Sequence, residues 1–190
     1  MVNEYILKLK KQAIEKHIPI IQDEVGMFLS SLIKDHQINS IFEIGTASSY
    51  SAHVMASAGA MIHTIERNED MIHLAKSNID ASPLKDKIQL FQDDAITFQT
   101  DHQYDLIFID GAKSQYKHFF DTFEKNLNPN GMIVCDNMFF HHLKEENVSR
   151  NTKNLLKKLK MFKEYLMHHQ SFETQFLSIG DGLSVSRKKS

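Results

Sequence analysis

At 190 residues, 42% of them hydrophobic, the chain can bury one sizeable core but has little left for a second domain. A formal net charge of −2 excludes a protein that binds nucleic acid through its overall charge, and no apolar run reaches the length of a membrane span. We therefore expect one domain over residues 1–190, without a membrane partner. The single cysteine, Cys135, excludes an internal disulfide, which fits a reducing compartment, so we expect the protein in the cytoplasm.

Two helices are predicted at the N-terminus, because apolar residues recur at helical spacing over residues 5–14 and 25–33. A connection around Pro19 joins them. Together they form a helical arm over residues 1–36, and neither helix carries a chemical motif.

From residue 40 onward, short apolar strands alternate with helical segments. Strands are predicted at 41–44, 61–65, 88–91, 106–109 and 132–135, and helices at 51–58, 71–79 and 119–127. Because this alternation requires crossover connections, it predicts a parallel sheet with helices on both faces. The Asn-Pro-Asn-Gly sequence at 128–131 predicts a turn before the last parallel strand.

The C-terminal part departs from this alternation. A long lysine-rich helix is predicted at 148–165, and two strands, 172–179 and 183–186, flank Gly180-Asp181-Gly182 as a hairpin. The predicted fold class is therefore α/β and Rossmann-like, with a seven-stranded, mostly parallel sheet that ends in an antiparallel hairpin.

A candidate cofactor loop follows the first strand, over residues 43–51. Small residues there let the backbone approach a ligand, and the start of a helix presents free N–H groups. The fingerprint of dinucleotide-binding proteins needs three glycines, and only Gly45 is present, so a ligand without a pyrophosphate fits better.

Acidic residues mark the ends of three successive predicted strands. Glu43 precedes Gly45, Glu66 lies 21 positions after Gly45, where an acid reaches a ribose hydroxyl, and Asp94 follows the third strand. Taken singly, Gly45 is also explained as a turn residue, Glu66 as a surface acid and Asp94 as a helix cap. Their order along the sheet favours a nucleoside pocket with acidic edges, which suits a sulfonium such as S-adenosylmethionine.

Two further apolar strands also stop at polar residues. Residues 106–109 run into Asp110, with Lys113 three positions later, and residues 132–135 run into Asp136-Asn137. Because parallel strands end at one edge of a sheet, we expect these groups to converge, and their oxygens suit Mg²⁺. The alternatives are a helix N-cap for Asp110 and an Asx turn for Asp136-Asn137.

These motifs resemble the divalent-metal-dependent O-methyltransferases, a family that includes the catechol and caffeoyl-CoA O-methyltransferases. The matching segments are 43–46 with Tyr50-Ser51, 64–67, Asp94-Ala95, 108–113 and Asp136-Asn137. The resemblance runs from about residue 18 to residue 189. Within the family the chain is most similar to the bacterial tRNA 5-hydroxyuridine methyltransferases. Members usually have glycine at the position of Ser49.

The resemblance implies S-adenosylmethionine and Mg²⁺ as cofactors and a homodimer as the assembly. Carried over by position, it implies cofactor contacts at Ile21, Ser51, Glu66, Asp94, Ala95 and Asp110, beside the candidates Glu43 and Gly45. It implies metal ligands at Asp110, Asp136 and Asn137. Lys113 matches the catalytic lysine of the family, so the resemblance implies that Lys113 and Asp110 are the catalytic residues.

The implied acceptor is the hydroxyl of 5-hydroxyuridine in the tRNA anticodon loop, which becomes 5-methoxyuridine. A local basic surface could hold tRNA phosphates; it comprises Lys153, Lys157, Lys158, Lys160, Lys163 and Arg187-Lys188-Lys189. The alternative is a solvated helix face whose apolar side faces the core. Phe139 and Phe140 could stack on a flipped base or simply close the core, and His141-His142 could belong to the same substrate loop.

Two other functions stay open. A small-molecule O-methyltransferase that acts on catechol-like vicinal oxygens needs no basic surface. A protein that binds S-adenosylmethionine without turnover is conceivable because of Ser49.

Overall fold

A seven-stranded sheet in the order β3-β2-β1-β4-β5-β7-β6 organises residues 1–139 and 149–189, the part of the chain that the computed structural model describes. Its strands are β1 Ser40–Ile44, β2 Met61–Glu66, β3 Ile88–Gln92, β4 Tyr104–Ile109, β5 Leu127–Cys135, β6 Phe172–Leu177 and β7 Leu183–Lys188. The helices are α1 Val2–Glu15, α2 Asp23–Asp35, α3 Tyr50–Ala58, α4 Glu69–Asp80, α5 Tyr116–Phe123 and α6 Arg150–Met167.

Strands β1 to β5 are parallel, and β7 runs antiparallel to both β5 and β6. The predicted fold class, including the antiparallel C-terminal hairpin, is confirmed. Ile44 pairs with Ile109, and Ile109 pairs with Cys135, so the three central strands end in step. The residues that follow them therefore share one edge of the sheet.

Each face of the sheet has its own apolar core. One core joins the sheet to α1, α2 and α3, and its largest fully buried members include Leu29, Met55 and Phe108. The other joins the sheet to α5 and α6 around Phe42, Phe120 and related aromatic residues. Two filled faces leave the loops at the sheet edge as the place where a ligand can enter.

The predicted turn at residues 128–131 lies inside β5 and not before it. Leu127 pairs with Tyr104 and Met132 pairs with Leu106, so four residues bulge opposite Asp105 alone. Asn128 Nδ2 donates to Asp105 Oδ1 across 2.7 Å, which closes the bulge. The helix predicted at 119–127 likewise ends at Phe123, and a 3-10 turn leads into β5.

The predicted N-terminal arm consists of α1 and α2, and both contact α3. A segment over residues 18–22 joins the two helices and reaches the sheet edge. Within the described ranges, none of the helices is both long and apolar enough to cross a membrane.

Candidate active site

A cavity of about 660 Å³ opens where the central parallel strands end. All of the predicted site residues except Glu43 line it: Ile21, Gly45, Ser51, Glu66, Asp94, Ala95, Asp110, Lys113, Asp136 and Asn137. The positions that sequence patterns placed on separate strands therefore surround one space.

Gly45 lies where β1 approaches the end of β4 most closely. Its φ is +100°, and a Cβ there would lie 2.6 Å from the main-chain oxygen of Asp110. Asp110 N donates to Ile44 O across 3.0 Å, which fixes this approach. Only glycine fits, so Gly45 brings the cofactor loop against the start of the Asp110 segment.

The loop after Gly45 adopts left-handed backbone at two residues with side chains. The φ of Ala47 is 44° and that of Ser49 is 69°. Ser49 is the N-cap of α3, and its conformation explains why glycine is usual at this position in the family that the sequence resembles. Glu66 Oε2 accepts a hydrogen bond from Ala47 N across 3.0 Å, which holds the first of the two strained residues.

Glu43 does not line the cavity and is fully buried on β1. Its Oε2 accepts a hydrogen bond from Thr64 Oγ1 on β2 at 2.6 Å, and Thr46 Oγ1 lies 2.6 Å from the same hydroxyl. Burial raises the pKa of Glu43 to about 7, although the hydroxyls of Ser51 and Thr64 lower it. The predicted cofactor contact by Glu43 does not fit this placement, since Glu43 supports the loop from beneath.

Glu66 and Asp94 form an acidic rim on one side of the cavity. Glu66 Oε1 accepts from the main-chain N–H groups of Arg67 and Asn68, at 3.0 and 2.9 Å. Asp94 Oδ1 accepts from Ile96 N at 2.9 Å, and its Oδ2 accepts from Arg67 Nη1 at 3.0 Å. The bond from Ile96, with that from Arg67, lowers the pKa of Asp94, so this carboxylate stays charged at neutral pH.

Asp110 and Asp136 face the other side of the cavity. Burial raises the pKa of Asp110 to about 8, with a further contribution from the charge of Asp136, and burial raises that of Asp136 to about 6. The amide side chain of Asn137 bonds to Asp110, and Asn137 N donates to Asp136 Oδ1 at 2.6 Å. The positive charge of Lys113 lowers the pKa of both carboxyls, so all four groups converge.

A family model described as O-methyltransferase matches residues 2–189. The chain belongs to the O-methyltransferase family. The caffeoyl-CoA O-methyltransferase of Populus kitakamiensis is 25% identical over 177 residues, 86% of this chain and 75% of that protein. The catechol O-methyltransferase of Niastella koreensis is 32% identical over 123 residues, 60% of this chain and 55% of that protein.

Solved structures share the fold of this O-methyltransferase. A Staphylococcus aureus protein, provisionally named a caffeoyl-CoA O-methyltransferase, has a TM-score of 0.91 at 33% identity and covers 97% of this chain and 92% of its own. A Bacillus cereus O-methyltransferase in complex with SAH has a TM-score of 0.82 at 24% identity. The match covers 98% of this chain and 91% of that chain.

The donor set of this O-methyltransferase fits a hard divalent cation. In the described part of the chain, no three His, Cys, Asp or Glu side chains cluster as a metal centre would. The predicted metal ligands are not a cluster of this kind, because the third ligand is the side-chain amide of Asn137. A divalent cation would stabilise two converging, buried carboxyls in their charged form, and carboxylate and amide oxygens are ligands that Mg²⁺ accepts.

Several residues at the site escaped the sequence analysis. Tyr116 Oη donates to the main-chain oxygen of Asp136 at 2.9 Å, and Asn78 Nδ2 donates to that of Ser48 at 2.9 Å. Asp181 lines the cavity and accepts from Gln22 Nε2 at 3.0 Å. The Gly-Asp-Gly turn marks Asp181 in the sequence, whereas no local pattern marks Tyr116 or Asn78.

Phe139 packs against the β6–β7 turn beside the cavity. Its N–H donates to Asp181 O at 2.7 Å, and Lys163 Nζ lies 4.0 Å from the centre of its ring. A Cβ on Gly182 would collide with that ring, so the turn and the ring are fitted to each other. Phe140 and His141-His142 lie outside the described residues.

Proposed function

We propose that this O-methyltransferase transfers a methyl group from S-adenosylmethionine to an acceptor hydroxyl and that the reaction requires Mg²⁺. The observation that carries the proposal is the convergence of Asp110, Asp136, Asn137 and Lys113 on one side of a cavity whose other side is the rim of Glu66 and Asp94. A nucleoside with a sulfonium fits the acidic rim, and an ionisable hydroxyl fits the opposite group.

Each side of the cavity then has a distinct task. Glu66 and Asp94 hold the ribose and favour a cationic donor, while Gly45 and Ser51 line the same compartment. Asp110, Asp136 and Asn137 would hold Mg²⁺, which when bound supplies positive charge that favours the ionised form of the acceptor hydroxyl. Lys113 would either accept the proton of the hydroxyl, which requires the neutral amine, or balance the charge on the acceptor oxygen as a cation. Alignment of the reactants supplies most of the remaining rate enhancement.

The acceptor that we propose is 5-hydroxyuridine in the tRNA anticodon loop, since its 5-hydroxyl and 4-carbonyl present two adjacent oxygens. Support comes from α6, where Arg150, Lys153, Lys157 and Lys160 are exposed and lie on one face of the helix by their spacing. Helix α6 also contacts the 3-10 helix Lys113–Gln115 beside the cavity. Helix α6 therefore reaches an element that lines the cavity, and we propose that its exposed basic residues bind tRNA phosphates.

A catechol-like small molecule is the second candidate acceptor. The names of the relatives favour it, because the similar proteins from Populus and Niastella are caffeoyl-CoA and catechol O-methyltransferases. Vicinal hydroxyls offer the same pair of adjacent oxygens. The apolar side of α6 is buried at Leu159 and Phe162, so its lysines are also explained as a solvated face.

Mass spectrometry of nucleosides tests the proposal. The protein is incubated with S-adenosylmethionine, Mg²⁺ and tRNA that contains 5-hydroxyuridine, with and without a chelator, and in parallel with a panel of catechols. We expect 5-methoxyuridine only without the chelator. Methylated catechols without 5-methoxyuridine would favour the second acceptor, and cofactor binding without any product would favour a binding protein.

The homodimer stays a prediction, which light scattering tests.

A further inference from the structure

Asn78 connects the cofactor loop to two helices outside the cavity. It lies on α4 and is 6% exposed, and its Nδ2 donates to the main-chain oxygen of Ser48 at 2.9 Å. Its own main-chain oxygen accepts a hydrogen bond from Tyr5 Oη on α1 at 2.6 Å. A chain of two hydrogen bonds therefore runs from the N-terminal arm, through α4, to a residue that lines the cavity.

The loop needs such support because its backbone is strained. Ala47 and Ser49 flank Ser48, and both have positive φ, which costs residues with side chains free energy. The imidazole Nδ1 of His53 donates to Ser49 O at 2.7 Å, on the other side of Ser48. The hydroxyl of Ser49 also donates to the main-chain oxygen of Ser48, but that bond lies within the loop. Without Asn78, the oxygen of Ser48 would lose the bond that ties it to α4, and the loop would relax toward less strained conformations.

We infer that Asn78 is a positioning residue for the cofactor: it holds the loop of residues 46–49 in the shape that binds S-adenosylmethionine, and Tyr5 holds Asn78. The inference rests on the proposed use of that cofactor. Asn78 touches neither the cavity nor the reacting atoms, so it acts through Ser48. Preorganisation of this kind changes the affinity for the cofactor and leaves the chemical step alone.

Asn126 offers a matched control for Asn78. It is also buried, at 2% exposed, and its Nδ2 donates to the main-chain oxygens of Thr100 and His102 at 2.8 and 2.9 Å. It precedes β5, at the edge of the sheet opposite the cavity. Asn126→Ala therefore removes a comparable buried amide with no route to the cofactor loop.

Calorimetric titration with SAH tests the inference, together with steady-state kinetics. For Asn78→Ala we expect the Kd for SAH and the KM for S-adenosylmethionine to rise about tenfold, which is the effect of one lost hydrogen bond, while kcat at saturating cofactor stays within about twofold. Tyr5→Phe should raise the same Kd about threefold. For Asn126→Ala we expect a lower Tm and an unchanged Kd.

Three results would overturn the inference. Binding of SAH by Asn78→Ala with wild-type affinity would refute it and leave the proposed function standing. An equal loss of affinity in Asn126→Ala would reduce the effect to general destabilisation. Failure of the wild-type protein to bind SAH would refute the proposed function first. If Asn78→Ala does not fold, Tyr5→Phe and Asn78→Leu, which is similar in size and has no donor, decide the question by the same Kd.

Discussion

The hydroxyl of Tyr116 donates to the main-chain oxygen of Asp136 across 2.9 Å, and both residues are buried. This bond ties the first turn of α5 to the residue that follows β5. The orientation of the Asp136 carboxylate thus depends on a helix that contributes no charged group of its own to the cavity.

Tyr116→Phe keeps the ring in place and removes the only polar atom of the side chain. Because the buried oxygen of Asp136 loses a donor, we expect the free energy of unfolding to fall by about 1–2 kcal/mol, measured by urea denaturation. Tyr165→Phe is the control, since Tyr165 Oη donates to Asp121 Oδ1 at 2.7 Å in an exposed position. A loss no larger than that of the control would mean that the Tyr116 bond is dispensable.

Asp136→Ala removes one of the proposed metal ligands. We expect turnover to fall at least about a hundredfold, since loss of only a contact that orients a metal ligand already costs about 10–100-fold in metal affinity or activity. The affinity for SAH, measured by calorimetry, should change little because Asp136 lies across the cavity from the rim of Glu66 and Asp94. Full activity in this variant would contradict the assignment of the metal site.

Gly45→Ala tests the close approach of β1 and β4. The added Cβ would meet the main-chain oxygen of Asp110 at 2.6 Å, on a backbone with a φ of +100°. Gly59→Ala is the matched control, since Gly59 has a φ of +130° but nothing within 4 Å of its Cβ position. Both variants bear the backbone strain of about 1–2 kcal/mol, and only Gly45→Ala adds a collision with main chain. We expect its Tm to be clearly the lower of the two, and equal Tm values would contradict this account.

His53 makes the stability depend on pH. It is fully buried on α3, and burial lowers its pKa below the usual value because the charged imidazole is poorly solvated there. As pH falls through about 6.5, the unfolded chain takes up a proton that the folded protein refuses, so stability falls. Glu43, Asp110 and Asp136, whose pKa values are raised, contribute with the opposite sign and are the same in both proteins. We therefore expect urea denaturation to show that the stability of the wild type relative to His53→Gln falls between pH 7 and pH 5.

The control for His53 is His73→Gln, at an exposed position of α4. It should leave the slope unchanged. His63, whose pKa is also lowered by burial, maintains part of the slope in every variant. An unaltered slope in His53→Gln would show that His53 is not the group that titrates.

Charge reversal on α6 separates the two candidate acceptors. The double variant Lys153→Glu with Lys157→Glu should raise the KM for tRNA at least about tenfold, with a weaker salt dependence, because each lysine would neutralise a phosphate. Turnover of a free catechol should not change. Lys11→Glu with Lys34→Glu, exposed on α1 and α2, carries the same change in net charge. Equal effects of both pairs would assign the loss to overall charge and not to the α6 face.

The fold class and the convergence of the acids follow from the residue pattern alone. Strand and helix periods alternate from residue 40 onward, and parallel strands necessarily end at one edge, so Asp110 and Asp136 had to meet there. Gly45 was identified for a different reason, as the glycine between the first strand and the small residues that lead into a helix.

Which side chains face the cavity, and which groups hold them in place, depends on how the chain packs in three dimensions. Glu43 is the first residue of the candidate cofactor loop, but pairing of β1 with β2 places it beside Thr64 and outside the lining of the cavity. Asn78 and Tyr116 bind main-chain oxygens that lie 30 and 20 positions away. A main-chain oxygen is the same at every residue, so no sequence pattern reveals such a partner until packing brings the two together.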